Sequence, residues 1–173
     1  MITQKSEKLI NVLKELHLPE IRNSFETVAK EAEQNSLSYE EFLYDLISRE
    51  HESRRRNRIN RFRKESKLNV DKNMENFNLK RFDPKFIQQV RGLLKGDFIQ
   101  HKENILAFGN PGSGKTHLLS AVCLEMIELG FRPYYITCEV LVQDLLLAKK
   151  ELKLSKQLKR LDKFHIVLFV NAS

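Results

Sequence analysis

Glu103-Asn104-Ile105-Leu106-Ala107-Phe108-Gly109-Asn110-Pro111-Gly112-Ser113-Gly114-Lys115-Thr116-His117-Leu118 is the stretch whose reading decides the fold. Five residues suited to a buried strand, Asn104 to Phe108, run into the pattern G-x-x-x-x-G-K-[ST], and a helical pattern follows at once. Strand, glycine-rich turn and helix in that order form the setting in which such a loop cradles phosphates. Gly109, Gly112 and Gly114 allow the backbone to come close to an anion. The amide groups at the start of the following helix then supply donors and a favourable dipole. Lys115 is placed to put its charge between β- and γ-phosphates, and Thr116 to put its hydroxyl on Mg²⁺. The candidate site is therefore Gly109, Asn110, Pro111, Gly112, Ser113, Gly114, Lys115 and Thr116. Its cofactors are ATP and Mg²⁺, with Thr116 as the metal contact.

Upstream of the loop the pattern is helical. Leu9, Leu13 and Leu16 fall on one face, and Pro19 suits the first position of a second helix carrying Ile21, Phe25, Val28 and Ala32. Ser38-Tyr39-Glu40-Glu41 reads as a capping box, with a third helix bearing Phe42, Leu43, Leu46 and Ile47 on its first turns. That helix turns basic near Arg49. From Arg49 to Lys67 seven Arg and two Lys face three Glu, and the preference for Arg suits phosphate oxygens better than a merely solvated face. Arg54, Arg55, Arg58 and Arg61 are the candidate DNA contacts, with Arg54, Arg58 and Arg61 spaced to share a face. Asn69 to Asn78 is a polar connector. Asp83-Pro84 then starts a short helix with Phe86, Ile87, Val90, Leu93 and Leu94, which Gly96 is placed to end. Phe98 and Ile99 fit either an adenine ring or the core.

Downstream, the helix after the loop carries Leu118, Leu119, Val122, Met126 and Leu129. Tyr134 to Thr137 is a second strand, and a helix from near Cys138 is expected to bury Val140, Leu141, Leu145 and Leu146. Lys149 to Lys163 holds seven basic and two acidic residues, and reads as a basic amphipathic helix that is either DNA-facing or solvated. Ile166 to Val170 has the composition of a buried strand. In P-loop ATPases such a strand leads to an acidic residue that helps hold Mg²⁺. Val170 and Asn171 stand there instead, and no Asp or Glu follows Asp162.

The totals limit the classes. The 173 residues carry 30 Lys plus Arg against 23 Asp plus Glu, a formal net charge of +7 that suits an anionic partner. The two cysteines, Cys123 and Cys138, lack metal-ligand or CxxC spacing and read as reduced, packed thiols. No apolar run reaches the length of a membrane span or signal-peptide core, so a cytoplasmic location is expected.

Taken together these residues resemble the IstB-like AAA+ ATPases, helpers of insertion-sequence transposition related to the DnaC-type helicase loaders. The resemblance rests on Leu13 to Pro19, Leu37 to Phe42, the Arg-rich helix, Gly96 to Ile99, and the run from Glu103 to Leu118. Leu161-Asp162-Lys163-Phe164 also looks like the family's lead-in to its acidic strand. The resemblance covers residues 8–164. It implies an N-terminal helical domain engaging DNA or a partner, and an ATPase module that forms a homo-oligomer on DNA. It also implies ATP-controlled delivery of a transposase, or a helicase, to its target. The expected fold class is α/β, an N-terminal helical domain followed by an incomplete P-loop parallel sheet. The expected domains are a basic helical region over 1–68, a connector with a short helix over 69–103, and a truncated P-loop domain over 104–173.

The family's sheet order, 5-1-4-3-2, predicts that the strand feeding the loop lies beside neither of the other two strands supplied here. Loss of the family pattern after Phe164 makes a truncated or frame-shifted product the expectation, with ATP hydrolysis severely weakened. The competing readings are a non-catalytic DNA-binding or assembly module, a helicase-loader-like protein, and a decayed fragment. A small-molecule P-loop kinase has no use for the Arg-rich segment.

Overall fold

The computed structural model describes residues 4–171. Ala172 and Ser173, at the end of the terminal run, lie outside them. The chain divides into two compact units, the first reaching Arg58 and the second starting at Ile59. The fold is mixed α/β and mostly helical, with one small parallel sheet. Among the described residues no helix is long and apolar enough to cross a membrane.

The first unit contains α1 (Gln4–Glu15), α2 (Pro19–Gln34) and most of α3, which runs from Tyr39 to Ser66 and continues into the second unit. The capping box forms at the head of α3. The Ser38 amide and hydroxyl each donate to Glu41 Oε2 at 2.8 Å, and the Glu41 amide donates back to Ser38 Oγ at 3.3 Å. Leu13, Val28, Ala32 and Leu46 are buried. The apolar stripes are only partly used, however: Leu9, Leu16, Leu43 and Ile47 are exposed, because three helices cannot cover the full width of each stripe.

Helix α2 shows how this unit holds its register. Its N-cap is Leu18, which has no side-chain acceptor, and Pro19 supplies no amide. The next two amides find their acceptor 30 residues away. Glu50 Oε2 accepts from Glu20 at 2.8 Å and Ile21 at 3.2 Å, so a carboxylate of α3 caps α2. Glu50 is buried, and its Oε1 accepts from Arg54 Nε at 2.7 Å. Arg54 Nη2 also donates to the His17 carbonyl. Burial, the largest influence, pushes the Glu50 carboxyl up. The Arg54 hydrogen bond, the two amides and the Arg54 charge together outweigh it and hold the group below its ordinary 4.5.

The second unit is built around α6 (Lys115–Glu128), the helix that follows the phosphate loop. It is apolar on more than one side, as a helix buried between layers must be. On one side Cys123 and Ile127 pack with Ile59, Phe62, Leu68, Leu168 and Val170. On the other, Leu118, Val122 and Met126 pack with Phe77 and Val90. Val90 belongs to α4 (Pro84–Leu93), whose N-cap Asp83 accepts from the Phe86 amide at 2.8 Å. Phe98 and Ile99, in the short α5 (Asp97–Gln100), are partly buried against the same cluster and complete the core. Burial pushes the Cys123 thiol up to about 12, which makes it an apolar packing group.

β1 (Pro133–Thr137) and β2 (Ile166–Val170) pair in parallel, Pro133 opposite Ile166 and Thr137 opposite Val170. The crossover between them is α7 (Cys138–Lys150) followed by α8 (Leu154–Leu161). Three expectations are corrected here. Asn104 to Phe108 form no strand: the segment pairs with no strand among the described residues, and Leu106 and Phe108 are 76% and 86% exposed. The physical reason is that a strand needs a ladder partner, and among the described residues β1 and β2 pair only with each other. α7 buries none of its side chains fully, and Val140 and Leu146 are exposed. Lys149 to Lys163 is not one helix, because a turn at Glu151–Lys153, with Leu152 at φ 57°, separates α7 from α8.

The capping carboxylate yields a prediction. A folded-state pKa below the ordinary value means that Glu50 stabilises the fold fully above about pH 4.5 and loses that contribution as pH falls through the folded pKa. Glu50→Gln is expected to lower unfolding stability by about 2 kcal/mol at neutral pH. Denaturant titrations of both proteins should converge as the pH is lowered into the acid range; an equal gap at acid and neutral pH would count against the cap.

Candidate functional site

The loop Gly109–Thr116 emerges from the irregular segment 104–108 and ends in the first turn of α6. Gly112 and Gly114 hold φ at 74° and 93°, in the left-handed region that L side chains rarely adopt. Gly114 is the N-cap of α6 and brings no side-chain acceptor to its amides. Within the loop Ser113 donates to the Asn110 carbonyl at 3.2 Å, and Leu118 to the Gly114 carbonyl at 2.9 Å. The amides of Gly112, Gly114, Lys115 and Thr116 have no acceptor among the described residues. Amides of this kind at a helix start bind anions.

Lys115 folds back across the loop. Its Nζ donates to the Gly109 carbonyl at 2.8 Å and to the Asn110 carbonyl at 2.9 Å. An ammonium has three N–H donors, so one remains beyond these two. Thr116 is half-buried in the first turn of α6. Among the described residues no group of three His, Cys, Asp or Glu is placed to hold a metal ion. The loop thus fits a polyphosphate, through its amides and Lys115. For Mg²⁺ it offers the Thr116 hydroxyl, leaving the remaining positions to phosphate oxygens and water, as is common for this ion.

Two neighbours of the loop were not found by sequence reasoning. Arg81 donates through Nη2 to the Ser113 carbonyl at 2.6 Å. His117 Nε2 lies 3.0 Å from the Asn73 carbonyl, with its ring edge-on to Phe77 at 5.2 Å between centroids. Both contacts join the loop end of α6 to the segment Asn73–Arg81. The available signal was Phe77 with Met74, apolar residues in a mostly polar connector.

The candidate DNA contacts are all exposed but differently engaged. Arg54 is committed to Glu50 and the His17 carbonyl. Arg55 Nη1 is 3.8 Å from Glu52 Oε2. Arg61 lies over the Phe62 ring at 5.5 Å. Arg58 sits on the same helix, in its exposed basic run.

An α/β chain whose glycine-rich loop carries a lysine into the first turn of a buried helix is a P-loop protein. It belongs to the IstB-like ATP binding protein family, whose profile matches residues 11–172. An insertion sequence IS5376 protein of Geobacillus stearothermophilus, named for ATP binding, is 35% identical over 88% of this chain and 61% of its own length. An insertion-sequence protein of Sinorhizobium fredii is 33% identical over 91% of the chain and 53% of its own length. An insertion sequence IS21 protein of Pseudomonas aeruginosa is 27% identical over 91% and 59%. The chain therefore spans little more than half to three-fifths of these relatives.

The two glycines separate steric from conformational demands. A Cβ on Gly114 would stand 2.5 Å from Arg81 Nη2 and 3.2 Å from Phe77 Cε2, whereas one on Gly112 meets nothing within 4 Å. Gly112→Ala is expected to carry only the left-handed backbone cost, roughly 1–2 kcal/mol. Gly114→Ala should be more destabilising than that in denaturant titrations, and equal losses would contradict the close packing described.

Proposed function

We propose that this chain binds ATP at Gly109, Asn110, Pro111, Gly112, Ser113, Gly114, Lys115 and Thr116, with Mg²⁺ alongside Thr116. The observation that carries the reading is the combination of amides without acceptors and the Lys115 ammonium held across the loop by the Gly109 and Asn110 carbonyls. The amides would take phosphate oxygens, and Lys115 would offset charge between the outer phosphates. Magnesium, when bound, would neutralise charge on the phosphates. Binding rather than turnover is the activity ascribed, since Val170 and Asn171 occupy the end of β2 where a P-loop ATPase carries a carboxylate. In equilibrium binding with labelled ATP, the wild-type chain is expected to saturate and Lys115→Ala to lose at least about tenfold in affinity. Absence of wild-type binding at millimolar ATP would overturn the reading.

The wider role we propose is that of an insertion-sequence helper acting in the cytoplasm with a transposase on DNA, as a homo-oligomer. The names of the relatives, all insertion-sequence proteins, support this reading. So does the basic run of α3, which we propose contacts DNA phosphates through Arg58 and Arg61. Arg55 would assist, and Arg54 serves Glu50 first. The functional division we propose is a basic helical region over 1–68, a connector over 69–103, and the phosphate-loop module over 104–173. Duplex DNA binding should fall steeply between about 50 and about 200 mM salt, and Arg58→Ala with Arg61→Ala should flatten that dependence. Binding that is absent at low salt, or unaffected by the double substitution, would remove the DNA role.

A further inference from the structure

The segment ahead of α4 grips the phosphate loop with one side chain. Arg81 Nη2 donates to the Ser113 carbonyl at 2.6 Å, across 32 residues of sequence. The guanidinium lies over the Phe82 ring at 4.7 Å and near Phe77 at 5.6 Å from its centroid. Those rings stack on each other, and Phe77 is buried in the cluster that holds Leu118 and Val122 of α6. The guanidinium belongs to an exposed side chain but rests against rings of the cluster that packs on the helix. A Cβ at residue 114 would stand 2.5 Å from its Nη2, so an alanine there would have to displace the guanidinium.

The peptide joining Ser113 to Gly114 is planar and trans, so its carbonyl and its N–H point to opposite sides. Anchoring the Ser113 carbonyl on Arg81 turns the Gly114 N–H away from Arg81. A cation donating to the carbonyl also polarises the peptide and makes its N–H a stronger donor. That N–H is among those with no acceptor.

We propose that Arg81 is a positioning residue for polyphosphate: by holding the Ser113 carbonyl, it aims and strengthens the Gly114 amide that receives a phosphate oxygen. The proposal rests on the reading of Gly109–Thr116 as an ATP site. Arg81 itself touches the outside of the loop and acts through Ser113. This gives the connector a task in the site, and it places a residue outside the G-x-x-x-x-G-K-[ST] pattern in control of it.

The test compares the full-length wild type with Arg81→Ala and Arg81→Lys, the lysine retaining a donor for the Ser113 carbonyl. Hydrogen exchange of the Ser113 amide, which donates to the Asn110 carbonyl, is expected in the nucleotide-free chain to quicken in Arg81→Ala and to stay close to wild type in Arg81→Lys. Affinities for ATP and for inorganic tripolyphosphate should both fall about tenfold in Arg81→Ala, by the same factor because the effect is at the phosphates. Arg81→Lys should recover most of both. Should Arg81→Ala melt below the assay temperature, Arg81→Met, which keeps a long unbranched side chain beside the rings but has no donor, takes its place. Unchanged exchange and affinity in Arg81→Ala would overturn the proposal alone, as would a loss for ATP with none for tripolyphosphate. A wild-type chain that binds neither ligand would overturn the reading of the loop and this proposal with it.

Discussion

The burial of α6 on two sides is the constraint on which residues 59–171 depend. Cys123 and Ile127 face the sheet side, and Leu118, Val122 and Met126 face the cluster of Phe77 and Val90. A helix pinned in this way cannot roll or slide without opening one cluster or the other. Its first turn is therefore fixed in space, and the loop that enters it inherits that position. Chemistry at the loop is then a matter of donors carried on a rigid helix end, which is the arrangement an anion requires.

Rigidity is supplied from the helix side of the loop, not from the segment before it. Asn104 to Phe108 form no strand among the described residues, with Leu106 and Phe108 exposed, so the chain enters the loop without a ladder to steady it. Arg81 and His117 compensate at the other end, tying Ser113 and the first turn of α6 to the connector. In the first unit the same logic recurs with opposite charge. Glu50 caps α2 from another helix because Leu18 and Pro19 leave its first amides without a local acceptor.

What could be read from sequence was whatever is decided within a few residues. The capping box at Ser38, the Asp83-Pro84 helix start and the helix start after Gly114 each depend on neighbours in the chain, and each is found where its spacing predicts. Asn104 to Phe108 have strand composition, but a ladder depends on the partner that lies alongside, which composition does not encode. The grip of Arg81 on Ser113 spans 32 residues and the Glu50 cap 29 to 30, so neither has a local pattern. The Arg-rich run was legible as charge. That Arg54 is spoken for by a buried carboxylate was not, because the carboxylate's need comes from a helix end elsewhere in the sequence.

The central claim is that the folded chain, with its loop positioned by α6, carries a working ATP site. Ligand that binds only the folded state raises the unfolding midpoint, by an amount set by concentration over Kd and equal to about 2.7 kcal/mol at a hundredfold excess. Thermal unfolding of the full-length chain, with and without ATP and Mg²⁺, tests this directly. The account predicts a midpoint that climbs by several degrees and keeps rising with ATP concentration. A midpoint that does not move at millimolar ATP would contradict it.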